Sequence, residues 1–367
     1  MENFALACLC PSLSVKLTAR IMTKPILITM GDAAGIGPEI IAKVFLNHPA
    51  DSVGCVVVGD VATMRRAAAL VAKSLALPVA QLDLPSDISP PNCIPVLQKC
   101  ELLAPVSIGL VSGLAGQAAA DCIVWAAQTV LNGQAAAMVT APIHKEALAA
   151  AGGWAAQFPG HTEMLQAESA KFLGKSVQDV PVRMMLVNDE LMIVLVSIHM
   201  SLRQAISAVT VDSVLQTLRI THAALNKTVG TNSNFVPHIG VAGLNPHAGE
   251  GGLFGEEEQT IIAPAIAAAQ AEGMHVSGPF APDTVFMRAR SKSGVPGEFG
   301  VVVAMYHDQG LIPVKYLGVE QGVNVTLGLP LIRTSPDHGT AFDIAGTGKA
   351  NEASLIAAIR MARKLAG

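Results

Sequence analysis

Five histidines of this chain follow apolar runs or tight turns, and the chemistry available to the protein starts with them. VLVSI leads to His199, VAGLNP to His247, VVVAMY to His307 and MVTAPI to His144, while FPGHTEM sets His161 in a turn. Neutral imidazole is a common ligand for divalent transition metals. In open α/β sheets, ligands bind beyond the carboxyl ends of the strands. Three imidazoles delivered there could meet at one ion; the competing reading is of unrelated loop histidines held by hydrogen bonds. His48, His222, His238 and His275 lack this context and read as structural.

His247 lies in GLNPHAGEGGLFGEEE, residues 243–258. Glycines there gain no packing energy and lose much backbone entropy on folding. The loop must therefore bend sharply to aim the imidazole, or let something approach its backbone. The run Glu256-Glu257-Glu258 fits a helix N-terminus by its dipole and needs no catalytic role. Asp308 beside His307 suits an orienting carboxylate. Lys315 follows, and GVNVTLGLPLIRTSPDHGTAFD then offers Asn324, Arg333, Asp337, His338, Thr340 and Asp343. Asn, Lys and Arg together suit a phosphate or carboxylate ligand. Taken singly, Lys315 reads as a solvated side chain and DHGT as an ordinary turn.

Other motifs are weak or missing. GDAAGIG joins a strand to a helix but is not G-x-G-x-x-G, and GTGKA lacks the spacing of a Walker A loop. No G-x-S-x-G elbow supports an esterase triad. Ser201 and Gln204 form a capping box directly after His199.

These residues need a scaffold, and the composition describes one. Of 367 residues 51% are hydrophobic, 14% charged and 4% aromatic, which suits helices on a parallel sheet and a buried subunit interface. With a net charge of −4 and no basic block, nucleic acid is not an expected partner. Cys8, Cys10, Cys55, Cys93, Cys100 and Cys122 form no CxxC pair and read as reduced thiols of a cytoplasmic protein. No apolar run reaches the ~18–20 residues that span a bilayer. Residues 1–22 make a poor signal peptide and read as a disordered tail or a mis-assigned start.

Strand-like runs alternate with helical ones: strands in PILITM (25–30), VGCVVVGD (53–60), AAAMVTAPIH (135–144), PHIGVAGLNPH (237–247) and GVVVAMYHDQG (300–310). Helices are predicted over 61–76, 117–133 and 351–367, with Gly37-Pro38 as an N-cap and first helical residue. VRMMLVND and LMIVLVSIHM predict a hairpin about Asp189-Glu190. The alternation predicts α/β with a largely parallel sheet, the hairpin belonging to a second, inserted domain.

ITMGDAAGIGPEI, TAPIHKEAL, FPGHTEML, IHMSLR, GLNPHAGEGG, GPFAPDTVF, YHDQGLIPVK and GVNVTLGLPLIRTSPDHGTAFDIAGTG together resemble the PdxA family, the 4-hydroxythreonine-4-phosphate dehydrogenases of vitamin B6 synthesis. The resemblance runs from about Lys24 to the C-terminus. It implies a two-domain isocitrate/isopropylmalate-dehydrogenase-like fold with helices on both faces of the sheet. Residues 23–145 plus 320–367 would form one domain, and 146–319 a second carrying the dimer contacts. It also implies a homodimer sharing its active sites, NAD or NADP as cofactor, and one divalent ion per site (Zn, Mg, Mn or Co). On matching motifs, His199, His247 and His307 would hold the metal. His161, Thr162, Lys315, Asn324 and Arg333 would touch a small phosphorylated hydroxy acid. His338, Gly339, Thr340 and Asp343 would line the nucleotide site. Lys315 and Asp283 are the candidates for proton transfer. TMGD and GGLFGEEE resemble the family's second branch, which acts on 4-phospho-threonate or 4-phospho-erythronate. A cis-diol carboxylate is a further alternative substrate. A phosphate-acyltransferase-like enzyme would need neither the three histidines nor metal, and a silent metal-binding protein would form no NADH.

Overall fold

The apolar runs become strands, in a computed structural model that describes residues 24–367 except 74, 103, 230–237, 293, 319 and 320. Residues 1–22, expected to be a disordered tail or a mis-assigned start and holding Cys8 and Cys10, lie outside the described residues. In chain order the first elements are β1 (Ile26–Thr29), α1 (Gly37–Asn47), α2 (Pro49–Ser52), β2 (Cys55–Gly59) and α3 (Val61–Ala72). Next come β3 (Val79–Leu82), β4 (Ile94–Gln98), α4 (Gly113–Leu131), β5 (Ala137–Thr140), α5 (Lys145–Ala151) and α6 (His161–Leu173). The middle holds β6 (Arg183–Val187), β7 (Met192–Leu195), α7 (Leu202–Ala208), α8 (Val211–Val229), β8 (Ile239–Ala242) and α9 (Ala263–Ala271). The chain ends with β9 (Val276–Phe280), α10 (Val285–Ala289), β10 (Val301–Ala304), α11 (His307–Gly318), β11 (Val323–Leu327), β12 (Arg333–Pro336) and α12 (Ala353–Ala366).

All twelve strands join one sheet in the order β3-β4-β2-β1-β5-β12-β11-β6-β7-β10-β8-β9. The six strands from β3 to β12 run parallel, as do the four from β7 to β9. Between them, β12–β11, β11–β6 and β6–β7 pair antiparallel. The fold is therefore mostly parallel α/β, and the expected hairpin is β6–β7. Its turn is set by Asn188, whose Oδ1 accepts from the amides of Glu190 and Leu191 at 2.9 and 2.8 Å.

β1, β2, β5, β8 and β10 are buried at every residue, so helices cover both faces of the sheet and the strands need no polar alternation. α12 packs on β12, β5 and β11, at the centre of the sheet. No helix among the described residues is long and apolar enough to cross a membrane.

Several boundaries differ from the sequence expectation. α1 begins at Gly37 with Ile36 as its N-cap and no side-chain cap, so Gly37-Pro38 lie one place further into the helix than predicted. Close packing explains the glycine: a Cβ at Gly37 would lie 2.4 Å from the Met30 carbonyl oxygen. α4 starts at Gly113 rather than 117, where Ser112 Oγ accepts from Ala115 N. α3 ends at Ala72, because Lys73 turns to φ 50°.

Candidate active site at the strand ends

β10 lies between β7 and β8, parallel to both, so the three strands open at one end of the sheet. His199, His307 and His247 follow these three strands. The exits are tied together by side chains. Ser197 Oγ donates to the Met305 carbonyl at 2.9 Å. Gln309 accepts from Met305 N and donates to the Gly243 carbonyl, both at 2.7 Å.

The structure brings His199 and His307 together, with ring centroids 5.7 Å apart and planes at 44°. His307 is fixed by a 2.7 Å contact from Nδ1 to Asp308 Oδ1, which leaves Nε2 open. Burial, then the nearby Lys145 and His307, hold His199 below its ordinary pKa. It is therefore neutral at pH 7, the form that binds metals.

His247 does not complete a cluster with them. Among the described residues, no three His, Cys, Asp or Glu side chains of one chain converge as a metal site. Instead His247 is exposed, its ring 6.2 Å from that of Phe254. Its backbone is unusual: His247, Ala248, Gly249, Glu250 and Gly251 have φ of 53°, 53°, 81°, 44° and 69°. This is a left-handed turn, a conformation that L-residues avoid at roughly 1–2 kcal/mol each. Glu258 holds it. That carboxylate is only 3% exposed and accepts from the amides of Leu244 and Asn245 at 2.7 Å and from Asn245 Nδ2 at 3.0 Å. It also lies against Gly249, where a Cβ would come 2.7 Å from Glu258 Oε2. The acids after the loop thus do more than cap a helix.

A second group gathers where β12 and β5 pair. Arg333 is 4% exposed and donates only to hydroxyls: to Thr140 Oγ1 from Nε and Nη2 at 3.0 and 2.8 Å, and to Thr326 Oγ1 from Nη1 at 3.1 Å. Among the described residues no carboxylate lies within ion-pair distance of it. Burial brings its pKa down to about 10, with Glu163 pulling weakly the other way. His161, the first residue of α6, is held well below its ordinary pKa by burial and by Arg333, and its Nε2 is sealed from solvent without a partner. A buried guanidinium without a carboxylate partner, beside a neutral imidazole, is chemistry that an anion could complete. Thr162 follows on α6, and Asn324 is half-buried on β11, opposite Ser335. Lys315 Nζ lies 2.8 Å from Asp337 Oδ2. Asp283 is exposed just ahead of α10, and no described side chain bonds it.

The segment His338–Asp343 follows β12 and meets the strand-to-helix turn after β1. Ile36 N donates to the Thr340 carbonyl at 3.0 Å, and Gly35 lies against the Thr340 side chain. His144 stacks on Phe342 at 4.6 Å and 16°. Gly339 and Asp343 are exposed, and Thr340 is buried. Several buried polar atoms here lack hydrogen-bond partners: Asp32 Oδ2, His144 Nδ1 and His338 Nε2. Burial raises the Asp32 pKa.

The family profile described as "Pyridoxal phosphate biosynthetic protein PdxA" matches residues 51–362. The chain belongs to the PdxA family. A relative from Beijerinckia indica named 4-hydroxythreonine-4-phosphate dehydrogenase is 48% identical over 93% of this chain and 95% of its own. A D-threonate 4-phosphate dehydrogenase from Pectobacterium atrosepticum is 43% identical over 94% of this chain and 100% of its own. The crystal structure of the Klebsiella pneumoniae 4-hydroxythreonine-4-phosphate dehydrogenase superposes with a TM-score of 0.80 at 40% identity, covering 94% of this chain and 100% of that one.

In this PdxA-family chain, four contributors escaped the reading of the residues: Gln309, Glu258, Lys145 and Asp32. Gln309 and Glu258 act through backbone contacts with distant loops, which no local pattern reveals. Lys145 carried one signal, its place directly after strand-end His144. Asp32 carried another, an acid in a glycine turn that does not form a dinucleotide fingerprint.

Proposed function

We propose that the protein is an NAD- or NADP-linked dehydrogenase that oxidises the hydroxyl of a small phosphorylated hydroxy acid and then releases its carboxylate as CO2. The observation that carries this reading is buried Arg333, charged and without an anionic partner beside neutral His161. With Asn324 and Thr162 they hold the substrate's phosphate and carboxylate and fix the reacting carbon. On this reading the substrate is 4-(phosphooxy)-threonine, giving 3-amino-2-oxopropyl phosphate for pyridoxine and pyridoxal phosphate synthesis. A second substrate, 4-phospho-threonate or 4-phospho-erythronate, is favoured by TMGD and GGLFGEEE and by the D-threonate 4-phosphate dehydrogenase relative.

The donor set suits a divalent ion: two facing imidazoles, one kept neutral by its surroundings and the other oriented by a carboxylate. We assign His199 and His307 of one chain, and His247 of a second copy, to hold it. A shared site makes the protein a homodimer by construction. When bound, a divalent metal supplies acidity to the substrate hydroxyl, and the nicotinamide supplies a hydride acceptor. Lys315 carries a proton to or from the reacting carbon, and Asp283 is the second candidate for that role. His338, Gly339, Thr340 and Asp343 face the nucleotide.

Absorbance of NADH with 4-phosphooxy-threonine and with 4-phospho-threonate, each with and without chelator, tests the reading. Chelator-sensitive NADH formation with either acid supports it and chooses the substrate. No NADH or NADPH with either acid, assayed with NAD and with NADP in the presence of added divalent metal, overturns it.

A further inference from the structure

Lys315 and Asp337 come from different elements of the fold. Lys315 lies on α11, the helix that begins at His307 and contains Pro313. Asp337 follows the last residue of β12 and directly precedes His338. Their charged atoms are 2.8 Å apart, with the lysine side chain 41% exposed and the aspartate side chain 13%.

The geometry of this contact is informative. Asp337 Oδ2 is sealed from solvent and meets the Lys315 ammonium at 2.8 Å, outside the angles of a directed hydrogen bond. Attraction holds the Lys315 head in place, and a single contact leaves two of its three N–H donors to turn elsewhere. The aspartate itself stands on firm ground. Its amide donates to Ser354 Oγ at 3.3 Å, and that hydroxyl donates to the Gly322 carbonyl at 2.7 Å. Ser354 is buried in the first turn of α12. Lys315 has no such support: its neighbour Tyr316 is 89% exposed and Ile312 64%. A pair this open to solvent contributes little to folding.

We propose that Asp337 is a positioning residue for Lys315, holding the lysine head over the reacting carbon and linking its place to the adjoining loop at His338–Asp343. This rests on the dehydrogenase reading above. A flexible four-carbon stem otherwise lets the head sample many positions. Removing the negative charge then slows the proton step without weakening substrate capture, which belongs to Arg333, His161 and Asn324.

The test is a double-mutant cycle on the full-length protein with its divalent metal, using whichever phosphorylated acid is turned over. The variants are Asp337→Asn, Asp337→Glu, Lys315→Met and the double variant Lys315→Met/Asp337→Asn. Asp337→Asn is expected to lower kcat about 10- to 100-fold, with KM changed by less than about threefold. Asp337→Glu recovers a large part of the loss. In the Lys315→Met background, Asp337→Asn has no further effect, because the two residues act as one unit. Circular dichroism and melting confirm folding; should Asp337→Asn not fold, Asp337→Ala takes its place in the cycle. An unchanged kcat in Asp337→Asn overturns the proposal, as do losses that multiply. In both cases active unaltered protein leaves the dehydrogenase reading standing. Inactivity of the unaltered protein with both acids overturns reading and proposal together.

Discussion

Arg333 reaches Thr140 with two donors, Nε at 3.0 Å and Nη2 at 2.8 Å, across the pairing of β12 with β5. A hydroxyl oxygen takes what a carboxylate usually takes, so the guanidinium keeps its full charge in a buried setting. Such a charge is costly unless an anion arrives.

Arg333→Met follows from that contact. Charge-assisted hydrogen bonds contribute about 1.5–3 kcal/mol each, so losing two lowers kcat/KM about 100-fold or more. The folded state is expected to be as stable or more so, since an unpaired buried charge has gone. Steady-state kinetics and a denaturant melt check both halves; a variant that is destabilised yet fully active contradicts the assignment.

The proposed division of His199, His307 and His247 between two chains predicts complementation in a dimer. His199→Ala and His247→Ala are each expected to be inactive and to bind little cobalt. After co-refolding an equal mixture, half the dimers are hybrids, and each hybrid has one intact site when His247 comes from the partner. About a quarter of normal activity then returns, by two-fold symmetry. If the mixture stays inactive while its hybrids are shown to form, the three ligands do not come from two chains.

Glu258→Ala removes the anchor of the left-handed turn. The Leu244 and Asn245 amides lose a buried acceptor, at about 1–3 kcal/mol each. A loss of about 3 kcal/mol in unfolding free energy is expected, with faster hydrogen exchange across 244–252. Unchanged exchange there means the turn holds itself.

Acid sensitivity follows from the buried imidazole of His161, whose folded pKa lies well below 6.5. Between the folded value and 6.5 the unfolded chain binds this proton and the folded chain does not. Stability is therefore retained above 6.5 and falls on acidification through it, by at most about 1.4 kcal/mol per pH unit for one proton. His161→Gln is expected to flatten that limb of a melting-against-pH curve; an unchanged limb assigns it to other groups.

Much of this protein was legible in its residues. The apolar runs ending at His199, His247 and His307 predicted strands, and each forms one. The Asp189-Glu190 turn predicted a hairpin, and Ser201 with Gln204 a capping box that is present. These features depend on periodicity, turn chemistry and local side-chain-to-backbone bonds, which act over a few residues and so are written in the order of the chain. The order of β7, β10 and β8 is not local, and it brings His199 against His307. No spacing announces that Glu258 folds back under Asn245, that Asp337 meets Lys315, or that His247 stands apart from its two fellows within a single chain. Those outcomes come from long-range packing, where a contact exists only after the sheet has chosen its neighbours and loops have closed over the entropy of the intervening chain.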